Sequence, residues 1–267
     1  MTAIAVTIAG SDSGGGAGIQ ADLKTFSALG VYGASVLTAI TAQNTKGVTA
    51  VEDVSASLVT AQIEAVFSDL SVGAVKIGMV SRDETIAAIA DALERLNIKA
   101  VLDPVMVATS GDRLLRPKAI EILKARLLPQ ALIVTPNLPE AALLTGRPIA
   151  EDEREMARQA EIILSGGAAS VLIKGGHASG SESVDLFFDG QTLHRLAAPR
   201  IETKNDHGTG CTLSAAIAAK LALGETLADA VSAAKNYLHA ALAASHKIRI
   251  GHGRGPVHHF HELWKEL

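Results

Sequence analysis

Short runs of β-branched and other apolar residues alternate along the chain with longer segments whose apolar positions recur at helical spacing. The short runs predict strands at Ile4–Ala9, Ala34–Ala42, Ala74–Ile77, Ala100–Asp103, Ala131–Thr135 and Ser170–Lys174. The longer segments predict helices at Gly18–Leu29, Leu58–Asp69, Asp83–Leu96, Pro117–Leu127, Pro139–Leu144, Glu153–Leu164, Thr212–Leu223 and Leu227–Ser245. Alternation at this spacing is typical of right-handed crossovers, so the sequence predicts a mainly parallel sheet with helices on both faces.

The alternation of strands and helices is interrupted between residues 184 and 197. Asp189-Gly190 separates two apolar alternating runs, Val184–Phe188 and Thr192–Ala197, and Asp-Gly in that position is a hairpin signal. We therefore expect a small antiparallel hairpin at Val184–Ala197, at an edge of the sheet. The sequence contains no low-complexity linker and no internal repeat, which favours a single domain over residues 1–267.

The composition narrows the class of protein. Hydrophobic residues are 48% of the chain and aromatic residues only 3%, so the core must be built from Ala, Val, Leu and Ile, as in layered α/β proteins. A net charge of −4 argues against a basic face and against nucleic acid as a partner. The single cysteine excludes an internal disulfide and suits a reducing compartment.

The N-terminal segment Met1–Gly10 is apolar but short and has no basic flank, so it predicts a first strand and not a signal peptide. No apolar run approaches the ~18 residues of a membrane-spanning helix. We expect a soluble, cytoplasmic protein that does not bind membranes.

Unusual residues cluster just after the predicted strands. In open α/β sheets, ligands bind beyond the carboxyl ends of the strands, so these segments should line one rim. They are Gly10–Gly18, Gln43-Asn44, Gly78-Met79, Asp103-Pro104, Asn137 through Glu140 and Lys174-Gly175-Gly176. Asn137 is also the expected N-cap of the helix near residue 139, with Glu140 in the first turn.

The run Lys204–Thr212 sets two glycines and the only cysteine at the start of an alanine-rich helix. Backbone N–H groups at a helix start lack intrahelical partners, and the helix dipole adds positive charge there. Together with glycines that allow close approach, they would form a cradle for a phosphate or phosphoryl group, and a thiol there should ionise more easily. The local pattern fits equally a turn followed by a small buried cysteine.

Familiar phosphate-binding and metal-binding motifs are missing. There is no Gly-Lys dipeptide and hence no Walker A loop, and the run Gly14–Gly18 fails the G-x-G-x-x-G pattern because residue 19 is Ile. The C-terminal histidines lack Cys or acidic partners at ligand spacing, which favours a polar segment that packs on the body of the protein over a metal site. These histidines are His252, His258, His259 and His261.

Motifs along nearly the whole chain resemble the bacterial hydroxymethylpyrimidine/phosphomethylpyrimidine kinases, which belong to the ribokinase-like superfamily and make the pyrimidine precursor of thiamine. They run in the family's order from residue 4 to residue 261. The matching segments are Ala9–Thr25, Thr41-Ala42-Gln43-Asn44-Thr45, Lys76-Ile77-Gly78-Met79, Thr135–Glu140, Lys174-Gly175-Gly176-His177, His207–Leu213 and Gly255–His261.

The resemblance implies a ribokinase-like three-layer α/β/α fold with a central, mostly parallel sheet, and a homodimer. It also implies two reactions with ATP and Mg²⁺. The first phosphorylates 4-amino-5-hydroxymethyl-2-methylpyrimidine, and the second phosphorylates the monophosphate to the diphosphate. One departure from the family lies in the first glycine loop, where Ser11-Asp12-Ser13-Gly14 stands in place of the common Asp-Pro-Ser. Loss of that proline predicts a slightly looser loop.

Site roles follow from the resemblance. Cys211 matches the position of the catalytic base, and Gly208, Thr209 and Gly210 would offer N–H groups to the transferring phosphoryl. A solvent-assisted proton transfer is the alternative to the thiol as base. Gln43 would bind the N–C–NH₂ edge of the aminopyrimidine, and Asp22 would accept a hydrogen bond from the substrate. Their structural alternatives are a loop side chain that caps backbone groups and a surface helical acid.

The remaining roles concern the substrate ring, the metal and ATP. Gly10, Met79 and Val105 resemble positions that pack on the substrate ring, with a core methionine as the alternative for Met79. Asp103, Glu140 and Asn137 would hold Mg²⁺ through oxygen ligands and waters, although helix-start electrostatics also explains Glu140. Lys174 and Lys235 would neutralise ATP phosphates, with a solvated helix face as the alternative for Lys235.

Two other functions remain open at this point. A pyridoxal kinase of the same superfamily acts on a similar flat heteroaromatic alcohol. A non-catalytic pyrimidine sensor would use the fold only to bind, which the intact Gly-Thr-Gly-Cys run and the lysines argue against.

Overall fold

Parallel strands connected by helices form the framework of the described chain. The computed structural model describes residues 1–106, 115–176 and 180–264. The strands are β1 Ile4–Ala9, β2 Tyr32–Leu37, β3 Ala39–Asn44, β4 Gly47–Asp53, β5 Ala74–Ile77, β6 Ala100–Leu102, β7 Ala131–Val134, β8 Val171–Ile173, β9 Glu182–Phe188 and β10 Leu193–Pro199. The α-helices are α1 Gly18–Ala28, α2 Ala56–Phe67, α3 Asp83–Leu96, α4 Pro117–Ile122, α5 Leu138–Thr145, α6 Glu153–Ser165, α7 Thr209–Ala222 and α8 Leu227–Ala243.

Two compact units divide the chain. The first comprises Met1–Val80 and Ile201–Leu267, and the second comprises Ser81–Arg200. In the first unit β1 pairs in parallel with both β2 and β5, and α7 packs against α1, α8, β1 and β5. Alanines line the buried part of α7, and their small side chains allow this close helix–strand packing.

A separate two-stranded ribbon in the first unit corrects the prediction of one strand over Ala34–Ala42. The strand is interrupted at Thr38, whose N–H donates to the Ala9 carbonyl at 3.0 Å. Strand β3 then pairs antiparallel with β4. The sequence did not predict β4, because its residues are almost all exposed and therefore show no apolar alternation.

The second unit contains the predicted hairpin. Strands β6, β7 and β8 are parallel, whereas β9 runs antiparallel to β8 and to β10. Asp189 shapes the turn by accepting hydrogen bonds from the N–H groups of Gln191 and Thr192, at 2.8 and 2.7 Å. The expected hairpin at Val184–Ala197 is thus confirmed, as is the prediction of a mostly parallel sheet with flanking helices.

Most predicted helices differ from the structure by one or two residues at an end, and two of them differ by more. The helix predicted from Thr212 begins at Thr209, after Gly208 in the left-handed conformation with φ 79°. The helix predicted over Pro117–Leu127 is α-helical only to Ile122 and continues as a π-helical segment, Leu123–Leu127. Within the described residues, no helix is long and apolar enough to cross a membrane.

Candidate active site

The glycine loop after β1 is organised by the carboxylate of Asp12, which is 1% exposed. One oxygen accepts the Gly14 N–H at 2.8 Å. The other accepts the N–H groups of Gly16 and Ala17, at 3.0 and 2.8 Å, and also contacts His207 Nε2 at 3.0 Å. Burial raises the pKa of Asp12, but the hydrogen bonds from His207, Ala17 and Gly14 outweigh it and lower the pKa to about 2.

The predicted anion cradle lies directly against this loop. Gly208 is the N-cap of α7, so Thr209, Gly210 and Cys211 form the first helical turn and are partly accessible. A Cβ atom on Gly208 would overlap the carbonyl oxygen of Gly16. This contact requires glycine at 208, and it brings the first turn of α7 against a loop 190 residues earlier in the chain.

Three predicted substrate contacts lie around the glycine loop. Gln43, on β3, is half-buried, and its side-chain nitrogen lies 3.3 Å from His207 Nε2. The Met79 methyl carbon lies 2.6 Å from where a Cβ on Gly10 would stand. Thr38 fixes Met79 by donating to its carbonyl at 2.7 Å. The structure therefore brings Gly10, Met79 and Gln43 to the same loop.

Asp22 is fully buried and not at the surface. Its Oδ2 accepts hydrogen bonds from Lys76 Nζ at 2.8 Å and from Thr7 Oγ1 at 2.6 Å. Both side chains of the Asp22–Lys76 ion pair are 0% exposed. These contacts replace the surface helical acid considered above with a buried ion pair, and a direct contact between Asp22 and substrate stays a prediction.

A second polar cluster lies after the parallel strands of the second unit. Lys174 Nζ donates to Asp103 Oδ1 at 2.9 Å. Asn137 and Glu140 form a capping box at the start of α5, in which each side chain accepts the other residue's backbone N–H at 2.9 Å. Glu140 also accepts the Met106 N–H at 3.3 Å. The predicted N-cap is confirmed.

The electrostatics of this cluster fit a divalent cation. Burial raises the pKa of Glu140 to about 7, Lys174 lowers it, and the nearby Asp103 carboxylate raises it. The carboxylates of Glu140 and Asp103, beside the amide oxygen of Asn137, are the hard oxygen donors that Mg²⁺ takes. No group of three or more His, Cys, Asp or Glu side chains suited to a metal occurs among residues 1–106, 115–176 and 180–264.

Val105 and Lys235 are the remaining predicted site residues within the described part of the chain. Val105 is partly exposed next to Asp103, and its N–H donates to the Asp103 carbonyl at 2.9 Å. Lys235 is 9% exposed on α8, so it does not lie on a solvated helix face. His177, the last residue of the Lys174 motif, lies outside the described residues.

Of the C-terminal histidines, His258, His259 and His261 pack on the body of the first unit, whereas His252 is exposed. His259 is buried, and its Nε2 lies 3.1 Å from Thr212 Oγ1. Its carbonyl accepts the Tyr237 hydroxyl at 2.6 Å, and the ring of His261 lies against Tyr237. The prediction of a packed polar segment is confirmed.

Comparison with known proteins identifies the family. The family model described as phosphomethylpyrimidine kinase matches residues 12–258. The chain belongs to this family. A hydroxymethylpyrimidine/phosphomethylpyrimidine kinase of Rhizobium meliloti (strain 1021) is 74% identical to it over 266 residues, which cover 100% of both chains.

Solved structures of two related kinases have the same fold as this chain. The phosphomethylpyrimidine kinase of Clostridium difficile 630 is 49% identical, with a TM-score of 0.79 over 88% of this chain and 97% of that chain. The pyridoxal kinase of Staphylococcus aureus, solved with AMP-PCP and pyridoxal, is 36% identical, with a TM-score of 0.90 over 100% and 96%. Membership confirms the predicted ribokinase-like fold, the phosphotransferase activity and the place in thiamine biosynthesis. The higher identities lie with the pyrimidine kinases, so the pyridoxal kinase alternative is not favoured.

Several residues that shape the site have no role assigned from the sequence. Asp12 and His207 lie within quoted motifs, but only the fold brings them to 3.0 Å across 195 residues. Lys76 lies in a predicted strand and has no role assigned from the sequence, whereas its partner Asp22 is predicted to contact substrate, with a surface helical acid as the alternative. An acid inside a glycine-rich turn is the one sequence signal that would have indicated Asp12, since such side chains often bind nearby backbone N–H groups.

Proposed function

We propose that the protein transfers the γ-phosphoryl group of MgATP to the hydroxymethyl oxygen of 4-amino-5-hydroxymethyl-2-methylpyrimidine, and then a second phosphoryl group to the monophosphate. The observation that carries the proposal is the first turn of α7, where Gly208 holds the backbone against the glycine loop. Backbone N–H groups at a helix start stabilise negative charge as it develops on a transferring phosphoryl.

In this mechanism Cys211 accepts the proton of the attacking hydroxyl. The substrate oxygen forms a bond to the γ-phosphorus, the bond to the β-phosphate oxygen breaks, and ADP leaves. Thr209, Gly210 and Cys211 offer their N–H groups to the phosphoryl oxygens, which is the positioning that phosphoryl transfer chiefly requires. The position of Cys211 in the first turn supports this assignment.

Substrate recognition falls to the residues around the glycine loop. Gln43 would pair with the N–C–NH₂ edge of the pyrimidine, while Gly10 and Met79 pack on the ring. Val105 is a further proposed ring contact. Asp22 would contact the substrate while it stays paired with Lys76. The adjacency of Gly10 and Met79 supports the packing role.

Nucleotide and metal binding fall to the polar cluster of the second unit and to two further residues. Asp103, Glu140 and Asn137 would hold Mg²⁺, which neutralises phosphate charge when bound. Lys174, Thr209 and Lys235 would contact ATP phosphates. The raised pKa of Glu140 beside Asp103 supports a cation at this cluster.

We also propose a homodimer in the cytoplasm. The exposed apolar side chains Ile40, Val48 and Val51 on the β3–β4 ribbon support an association surface. Light scattering after gel filtration tests the dimer, and a monomer at micromolar concentration contradicts it.

The decisive experiment incubates the protein with the pyrimidine alcohol and MgATP and follows mono- and diphosphate by mass spectrometry. We expect both products from the wild type, and a kcat lower by a factor of about 100 or more for Cys211→Ala with an unchanged circular dichroism spectrum. Near-normal turnover of Cys211→Ala would exclude the thiol as base. A higher kcat/KM for pyridoxal would favour the pyridoxal kinase alternative, and absence of any product would favour a sensor.

A further inference from the structure

The amide group of Gln43 lies between two partners whose own hydrogen bonds decide which way it must point. The first is His207. Asp12 is ionised at neutral pH, since its pKa is held at about 2 by the balance described above, in which hydrogen bonds outweigh burial. The carboxylate has no proton to donate, so the 3.0 Å contact requires a hydrogen on His207 Nε2.

This protonated ring nitrogen cannot accept a hydrogen bond. Gln43 Nε2 lies 3.3 Å from it, which places one N–H donor against another. An imidazole nitrogen that carries hydrogen has no in-plane lone pair left. The atom of Gln43 that faces His207 should therefore be the amide oxygen.

Thr41 leads to the same conclusion from the other side. Its single hydroxyl hydrogen is used in the 2.8 Å bond to the Ser11 carbonyl. The hydroxyl consequently presents a lone pair to Gln43 Oε1, 3.3 Å away, which places one acceptor against another. The atom that faces Thr41 should be the amide nitrogen.

One half-turn of the terminal amide satisfies both neighbours. Nitrogen and oxygen of a glutamine amide are distinguished by their hydrogen-bond partners and not by shape. After the half-turn, the single hydrogen on His207 Nε2 is shared between Asp12 Oδ2 and Gln43 Oε1, and Gln43 donates to Thr41. The backbone of Gln43 is held independently, because Ser13 Oγ accepts its N–H at 2.8 Å and donates to its carbonyl at 2.7 Å.

We propose that Asp12 and His207 are positioning residues that fix the amide orientation of Gln43 and so determine substrate selectivity. In this orientation the amide keeps one N–H and one oxygen lone pair for a ligand. That pair matches the ring nitrogen and adjacent amine of a 4-aminopyrimidine, an edge that pyridoxal lacks. The inference rests on the proposed binding role of Gln43.

The test compares steady-state kinetics of the wild type, Gln43→Leu, His207→Leu, His207→Asn and the double variant Gln43→Leu/His207→Leu. For His207→Leu we expect the KM for the pyrimidine alcohol to rise about tenfold, equivalent to about 1.4 kcal/mol. The KM for ATP and kcat should change by less than about threefold, because the backbone contact between Gly208 and Gly16 that holds the start of α7 does not involve the His207 side chain. His207→Asn, whose side-chain N–H can still donate, should recover most of the affinity, and exposed His252→Leu should behave as wild type.

Selectivity and coupling provide the sharper readouts. The ratio of kcat/KM for the pyrimidine over that for pyridoxal should fall in His207→Leu. The double variant should bind the pyrimidine no worse than Gln43→Leu alone, since both changes remove one interaction. Fully additive losses, or a loss confined to kcat and ATP binding, would overturn the positioning role.

The controls separate this inference from the proposed function. A wild type that makes no phosphorylated pyrimidine contradicts the function itself, and an unaffected Gln43→Leu contradicts the binding role on which the inference rests. If His207→Leu does not fold, nitrogen-15 NMR of the imidazole in the wild type decides the matter. A hydrogen on Nε2 at neutral pH supports the proposal, and an unprotonated Nε2 refutes it.

Discussion

Asp22 and Lys76 combine a structural and a proposed functional role in one ion pair. Both side chains are fully buried, and Thr7 supplies a further hydrogen bond to the carboxylate. A buried pair adds little net stability compared with apolar residues, but removal of one partner leaves a buried charge and costs about 3–5 kcal/mol. Mutation of either residue alone therefore cannot distinguish support of the fold from contact with substrate.

A double-mutant cycle separates the two roles. We expect Asp22→Leu and Lys76→Met each to lower the free energy of unfolding by about 3–5 kcal/mol, and the double variant to recover most of that loss. Urea denaturation measures the stabilities, and the KM for the pyrimidine alcohol measures binding. A stable double variant with wild-type KM would assign Asp22 to the fold alone, whereas a raised KM would support its contact with substrate.

Ser13 stands where the family resemblance leads us to expect proline, and its hydroxyl makes two hydrogen bonds to the backbone of Gln43. Proline cannot make these two hydrogen bonds, so they offset the looser loop predicted from the missing proline. Ser13→Ala should raise the KM for the pyrimidine alcohol about three- to tenfold, in line with about 1 kcal/mol for a partly exposed hydrogen bond. Ser57→Ala, which changes an exposed serine, serves as control. An unchanged KM for Ser13→Ala would show that the two hydrogen bonds of Ser13 do not hold Gln43 in place.

At the scale of elements, the start of α7 depends on close contact between two backbones. Gly208→Ala would introduce a Cβ that overlaps the Gly16 carbonyl, in addition to the strain of φ 79°. We expect at least about a hundredfold loss of kcat, because the N–H groups of the first turn would move away from the phosphoryl. Gly30→Ala is the matched control, since φ is 77° but nothing lies within 4 Å of its Cβ.

Both glycine variants should lose about 1 kcal/mol from backbone strain alone, measured by thermal or urea unfolding. Only Gly208→Ala should lose activity. Equal activities in the two variants would show that contact with the glycine loop does not matter for catalysis.

The cluster after β6, β7 and β8 gives a metal-dependent prediction. Glu140→Gln keeps an oxygen acceptor for the Asn137 N–H but removes a negative charge. We expect the Mg²⁺ concentration for half-maximal activity to rise about tenfold, together with a modest fall in melting temperature because the amide cannot also accept the Met106 N–H. Glu161→Gln, an exposed acid on α6, is the control, and an unaltered Mg²⁺ dependence would limit Glu140 to the capping box.

Most elements could be predicted from the sequence because their apolar patterns are strong. Helix α3 begins and ends as predicted, at Asp83 and Leu96, and β1 and β5 also match. The β3–β4 ribbon could not be predicted, because a solvent-exposed strand has no buried face to reveal its period. The motifs named the residues of the candidate site, but not the Asp12–His207 contact, which depends on tertiary packing.

At the scale of the whole molecule, buried His259 ties stability to pH. Burial lowers its pKa from 6.5 to about 3, and the positive charge of Lys24 and contributions from His258 and His261 act in the same direction. Between those two values the unfolded chain binds a proton that the folded protein does not, so the contribution of His259 to stability is complete above pH 6.5 and is lost as the pH decreases toward 3.

Replacement of His259 by glutamine should flatten this dependence. We expect the free energy of unfolding of the wild type to fall faster than that of His259→Gln between pH 6.5 and 4.5, by up to about 1.4 kcal/mol per pH unit. Urea denaturation at several pH values measures both slopes. Asp12 does not interfere, since its lowered pKa of about 2 makes its contribution vanish only below about pH 4. Identical slopes would show that His259 is not the group responsible.

The contact between Asp12 and His207 also affects the order of events during folding. Residues 195 positions apart must meet before the glycine loop and the start of α7 can join, and the Gly255 carbonyl, still later in the chain, accepts the His207 N–H at 3.0 Å. Contacts of such long sequence separation form slowly. During refolding, the helical circular dichroism signal should return before enzymatic activity. A nascent chain on the ribosome should remain inactive until the segment that contains Gly255 has emerged.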